Sequence, residues 1–198
     1  MRQLMQIPEI LLPEETVVVW ENGFSDRDIE EIISVGEMCQ FNQGTIGDMQ
    51  SPTVNSEIRE TEIAWIHPTE QTQWLYQRMT ELAARVNFDK FKLDLTEFTP
   101  LQYSKYKVGG HYDWHMDSGP NIGVHRKLSF VLGLSDPDDY EGGELELNAT
   151  GNLANATIMK IKKGHLVVFP SYIAHRVTPV TSGQRLTLVG WVIGPKLR

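Results

Sequence analysis

A single cysteine, Cys39, stands among 198 residues, so no internal disulfide can form and a cysteine cage for zinc is excluded. One cysteine with no motif around it fits a reducing compartment and reads as a small buried hydrophobe. Long apolar runs are also missing: nothing approaches the roughly 18 residues that a membrane-crossing helix requires. The apolar patch at 10–12 is interrupted by Pro8, Pro13 and nearby glutamates before a signal-peptide core can form. A cytoplasmic location, with no membrane partner, is therefore the default expectation. Basic residues are in deficit, 18 against 26 acidic for a formal charge of −8, and they form no run. Such a surface repels phosphate backbones, so nucleic acid is not expected as a partner. Repeats, low-complexity tracts and linkers are absent, and the length suits one domain with a real core.

What is present is the composition of a soluble globular chain, 40% hydrophobic and 22% charged. FSDRDIEEIISVGE (24–37) has Ser25 as N-cap, acidic residues in its first turn, and Ile29, Ile32 and Ile33 at helical spacing. A second helix is predicted within 69–88, where Trp74, Leu75, Met79, Leu82 and Val86 form one stripe. Both stripes are of the kind that docks a helix on a sheet. Between the helices lies 42–60, polar and long enough to be a candidate lid, followed by the strand-like TEIAWI.

From about residue 95 the pattern changes to short strands separated by turn residues, which predicts a sandwich or barrel. In KLSFVLGL, alternation puts Leu128, Phe130, Leu132 and Leu134 on one face and Ser129, Val131 and Gly133 on the other. In RLTLVGWVI the face of Arg185 also carries Thr187, Val189, Trp191 and Ile193. The fold class expected is thus mainly β with flanking helices (α+β), with helical support over 24–90 and a β core over about 95–193.

GGHYDWHMDSG (109–119) holds the chemistry. His115 and Asp117 are two apart, so on a strand or its frayed end their side chains point the same way and can share one ion. His175, near the start of a later strand, is the candidate third ligand. Two histidines and a carboxylate cap one face of an octahedral ion and leave the opposite positions open, as in non-heme Fe(II) oxygenases. Arg185 heads an apolar strand, where a charge requires an anionic partner.

LQYSKYKVGGHYDWHMD, LSFVLGLSDPDDYEGGELEL and KKGHLVVFPSYIAHRVTPVTSGQRLTLVGWV together resemble the 2-oxoglutarate- and Fe(II)-dependent oxygenases. The similarity is greatest to the bacterial PKHD-type hydroxylases and the wider prolyl-hydroxylase group. It runs from about 95 to 193, with a weaker match from Phe24 through SEIRETEIAWI. The resemblance implies one oxygenase domain over 1–198 with a double-stranded β-helix (jelly-roll, cupin-like) core. It implies that His115, Asp117 and His175 ligate Fe(II), that Arg185 holds the distal carboxylate of 2-oxoglutarate, and that ascorbate serves as reductant. Tyr106 would add a hydroxyl to the cosubstrate pocket and Trp191 would wall it, although each also suits plain core filling. The implied reaction uses O2 to hydroxylate an unactivated C–H bond, of a prolyl or other peptidyl residue, with release of succinate and CO2.

Several alternatives accompany this reading. A halogenating relative would lack the carboxylate that Asp117 supplies. A nucleic-acid dealkylase of the AlkB type would carry a second arginine where Trp191 stands. A non-catalytic cupin-like metal-binding module, or an oxygenase acting on a free amino acid or small metabolite, stays open. His67, His111, His125 and His165 are expected on surface or turns, Gly142 and Gly143 at a tight turn with close backbone approach, and DPDDYE in a solvated loop.

Overall fold

The two-faced pattern of 127–134 demands a sheet with different environments on its two sides, and such a sheet organises the molecule. A computed structural model describes residues 16–21, 23–47, 52–119 and 125–195. The apolar patch at 10–12 and its flanking prolines lie outside the described residues, as does 48–51 within the candidate lid.

The large antiparallel sheet has seven strands in the order β1 (Val18–Trp20), β11 (Leu166–Pro170), β7 (Arg126–Gly133), β14 (Arg185–Ile193), β5 (Leu101–Tyr106), β4 (Glu62–Ile66) and β2 (Asn42–Gln43). A second sheet runs β10 (Thr157–Met159), β9 (Leu145–Asn148), β12 (Ala174–Val177), β6 (His111–His115) and β3 (Arg59–Glu60). β8 (Tyr140–Gly142) and β13 (Val180–Gly183) make a separate pair. The two larger sheets face each other in jelly-roll fashion, with Val131, Val167 and Phe169 of one packed against Leu145 and Leu147 of the other.

Two helices cover the outer face of the large sheet. In α1 (Asp26–Met38) the Ser25 hydroxyl accepts from the Asp28 N–H, and the Asp28 carboxylate accepts from the Ser25 N–H, so two otherwise orphaned donors are satisfied. Ile29, Ile32 and Gly36 are buried, and Ile33 is partly buried beside them. Gly36 has to be small because a Cβ there would lie 2.6 Å from the Tyr103 ring of β5. In α2 (Gln73–Val86) Leu75, Met79, Leu82 and Val86 are buried as the stripe predicts, while Trp74 is only partly so. These side chains meet Leu128, Phe130, Leu132, Leu134 and Leu188 in one core, each fully buried aliphatic residue contributing about 1.5–3 kcal/mol. The helices thereby fix the sheet from outside, and the residues alternating with that core are left to face the interior. Cys39 is half-buried against the same core, its thiol donating to the Val35 carbonyl at 3.3 Å. Among the described residues no helix is long and apolar enough to cross a membrane.

Candidate metal centre and its cavity

β12 runs antiparallel to β6 with His175 directly opposite His115. Sheet register therefore joins residues sixty apart in the chain. Asp117 follows the end of β6, where its backbone N–H and that of Ser118 both donate to the Ser171 carbonyl at 3.0 Å. That anchor turns the Asp117 side chain toward the two imidazoles.

The ligand atoms of His115, Asp117 and His175 all lie within 4.8 Å of one another. His115 Nδ1 bonds to the Asp113 carbonyl at 2.8 Å and His175 Nδ1 to the Ile173 carbonyl at 2.9 Å. A carbonyl can only accept, so each Nδ1 carries the proton and each Nε2 presents a lone pair. Those two Nε2 atoms lie 3.8 Å and 3.4 Å from the Asp117 oxygens. Burial, reinforced by the neighbouring His175, lowers the His115 pKa to about 3, which keeps the ring neutral. Burial alone would raise the Asp117 pKa, but His175, His115, Arg126 and the Ser129 hydroxyl outweigh it and hold the group below the usual carboxylate range. The Ser129 hydroxyl donates to Asp117 at 2.7 Å and meets the Ser171 hydroxyl at 2.9 Å. Two imidazole lone pairs and a carboxylate thus converge with no proton among them. A cation is what such a donor set fits, and N/O donors of this kind suit iron.

The triad opens into a cavity of about 220 Å³. Arg185, Thr187, Val189 and Trp191 all line it, as expected for one strand face, and Tyr106 lines it from β5. Arg185 is 2% exposed and pairs in register with Tyr106, its guanidinium 5.1 Å over that ring. Among the described residues its Nη2 has no partner, nor do Thr187 Oγ1 and Trp191 Nε1. Buried donors without acceptors are rare in folded proteins and indicate a ligand. Gly143, with φ +71° at Gly142 before it and +65° at its own position, packs so closely that a Cβ would sit 2.9 Å from Arg185 Cδ. The expected close approach at these glycines therefore shapes the arginine's seat. Tyr140 also faces Arg185; burial raises its pKa, opposed by that guanidinium.

Other participants lacked a signal in the sequence. Arg126 lies 3.8 Å over the Trp191 ring and 3.9 Å from Asp117, and Arg59 lies 4.5 Å over Tyr112, which stacks on His115 at 3.5 Å. Neither arginine stands in a spaced motif, and β-sheet pairing alone brings them in. Ser129 had a partial signal, as the polar position on the inner face of β7. From 42–60, Thr45, Gly47, Pro52 and Arg59 reach the cavity. His111 bonds instead to the Gly109 and Glu57 carbonyls, and His67, His125 and His165 do not line the cavity. A larger groove of about 1600 Å³ beside the C-terminal end of α2 contains none of the triad or its arginines.

Comparison with known proteins agrees with this geometry. The family profile described as the 2OG-Fe(II) oxygenase superfamily matches residues 101–193. A PKHD-type hydroxylase of Idiomarina loihiensis is 36% identical over 129 residues, covering 61% of this chain and 57% of the relative. One from Cupriavidus metallidurans is 28% identical over 195 residues, 95% of this chain and 77% of the relative. The chain spans about half the length of most of the curated relatives it matches. Among solved structures, a Pseudomonas putida prolyl-4-hydroxylase superposes with a TM-score of 0.70 at 24% identity, over 91% of this chain and 94% of that one. A Trichoplax adhaerens prolyl hydroxylase, solved with a hypoxia inducible factor peptide fragment, gives 0.74 at 21%, over 91% and 84%. At these identities the superpositions establish the jelly-roll fold.

Proposed function

We propose that this chain is a hydroxylase of the 2OG-Fe(II) oxygenase superfamily, whose profile matches residues 101–193, using Fe(II), 2-oxoglutarate and O2. The observation that carries the reading is the meeting, in one cavity, of an acceptor-only His-Asp-His cluster and a buried guanidinium whose Nη2 has no partner among the described residues. His115, Asp117 and His175 would hold the iron, and Arg185 would hold the distal carboxylate of 2-oxoglutarate through its planar fork. Iron and cosubstrate, when bound, supply activation of dioxygen and oxidation of 2-oxoglutarate to succinate and CO2.

The chain's own residues do the positioning. The Asp113 and Ile173 carbonyls hold both imidazoles in the tautomer that offers Nε2. Ser129 fixes one Asp117 oxygen and leaves the other to turn toward the cavity. Tyr106 and Trp191 wall the cosubstrate site, and their apolar surface excludes water from the reacting centre. The target is an unactivated C–H bond of a prolyl or other peptidyl residue, a choice supported by the prolyl-hydroxylase names among the relatives. Ascorbate serves as reductant, and the helical support and β core act as one catalytic unit. We place the enzyme in the cytoplasm, where a lone cysteine stays reduced.

The test is anaerobic addition of Fe(II) and 2-oxoglutarate to metal-free protein, watching for a visible metal-to-ligand charge-transfer band, with His175→Ala and Arg185→Ala alongside. The wild type should show the full band and both variants should lose most of it. Iron binding without a band in the wild type would sink the oxygenase reading in favour of a metal-binding module.

A further inference from the structure

Five buried side-chain polar atoms lack a hydrogen-bond partner among the described residues: Arg59 Nε, Arg126 Nε, Arg185 Nη2, Thr187 Oγ1 and Trp191 Nε1. All five belong to residues lining the one cavity of about 220 Å³. Unmet hydrogen-bonding capacity is thus concentrated at the site, and nearly all of it belongs to donors.

The charges are as uneven as the hydrogen bonds. Among the described residues three arginines line the cavity, with Asp117 as the sole carboxylate. A divalent cation and a dicarboxylate cosubstrate cancel each other, so two guanidinium charges stay unbalanced when both are bound. Arg185 is taken by the cosubstrate in the reading above, and the excess falls on Arg59 and Arg126.

Arg59 is the more telling. It is only 7% exposed, and among the described residues no carboxylate lies within ion-pair distance of it. Its one side-chain bond among the described residues goes to a neutral acceptor, from Nη1 to the Thr45 carbonyl at 2.9 Å. The face of its guanidinium rests on Tyr112, which in turn stacks on His115, so the charge sits two layers from the metal ligand. Arg126 is held against the Trp191 face, and Asp117, its nearest carboxylate, is already committed to the triad. A buried cation with no counter-charge is strongly unfavourable, and a bound anion relieves it.

We propose that Arg59, with Arg126, forms a carboxylate-binding subsite for the primary substrate, so that the molecule oxidised presents an anionic oxygen group close to the reacting carbon. This rests on the oxygenase reading and narrows its substrate class. The carboxylate can come from a free amino acid or C-terminal residue, or from an acidic side chain beside the target in a peptide; an uncharged internal sequence lacks it.

Calorimetric titration of the anaerobic Fe(II)- and 2-oxoglutarate-loaded protein tests this with matched probes. N-acetyl-L-proline is compared with N-acetyl-L-prolinamide, and the capped dipeptide amide Asp-Pro with Asn-Pro. At least one acid should bind about tenfold or more tightly than its amide, the ratio expected for one charge-assisted pair. The pair that discriminates identifies the source of the carboxylate. Arg59→Gln should abolish the preference while keeping the charge-transfer band, and Arg59→Lys should restore part of it. Should Arg59→Gln fail to fold, Arg126→Gln and the salt dependence of acid binding in the wild type decide the matter. Equal binding of acids and amides, or no binding of either acid, overturns the subsite. Absence of the charge-transfer band in the wild type overturns the oxygenase reading instead, so the two failures are distinguishable.

Discussion

His115 and His175 face each other across an antiparallel ladder with ring centroids 4.2 Å apart, and each donates its Nδ1–H to a carbonyl two residues earlier in its own chain. The same local device on two strands leaves both Nε2 lone pairs aimed at Asp117. Proton and metal must then compete for one cluster of acceptors.

That competition gives the metal-free protein a pH signature. The His115 pKa falls from its ordinary 6.5 to about 3 on folding, so between those values the unfolded chain binds more protons. Stability contributed by the neutral ring is complete above about pH 6.5 and is lost as pH falls toward 3. The depressed Asp117 acts in the same direction at the acid end. Melting temperature of the metal-free protein should drop across this window, and His115→Asn should flatten the profile. A wild-type profile that stays flat from pH 6.5 to 4 would contradict the burial of a neutral His115.

Ser129→Ala removes the hydroxyl that holds one Asp117 oxygen at 2.7 Å, and leaves His115, Asp117 and His175 themselves unchanged. Loss of such an outer partner weakens metal affinity by about 10–100-fold. Co(II) titration followed by its visible spectrum, with circular dichroism as a fold control, measures this. Unchanged affinity would show that Asp117 needs no support from Ser129.

Gly36→Ala drives a methyl to within 2.6 Å of the Tyr103 ring, whose hydroxyl donates to Glu37 at 2.8 Å. Overpacking of this kind costs about 1–3 kcal/mol. Urea denaturation should reveal that loss with little change in slope, and with iron affinity intact in protein that folds. A neutral substitution would mean that α1 can lift from β5 without penalty.

Replacing 42–60 by the equivalent stretch of a PKHD-type relative should change which substrates are turned over, because Thr45, Gly47, Pro52 and Arg59 border the cavity. Iron and 2-oxoglutarate binding should persist, since the triad and Arg185 come from other strands. Parallel loss of the charge-transfer band would assign the segment a structural role instead of a gating one.

Residue order alone determined the helices, the alternation of β7 and β14, and the pairing of His115 with Asp117, because each depends on periods of two or 3.6 residues within one short segment. It also determined that Arg185, Thr187 and Trp191 share a face, although not what that face meets. Tertiary structure decided that His175 lies opposite His115, that Ser129 reaches Asp117, and that Arg59 and Arg126 enter the same cavity. These depend on strand register between segments far apart in the chain, and on donors whose partners are missing. A sequence shows that a side chain can donate a hydrogen bond; only the packed molecule shows whether a neighbour accepts it.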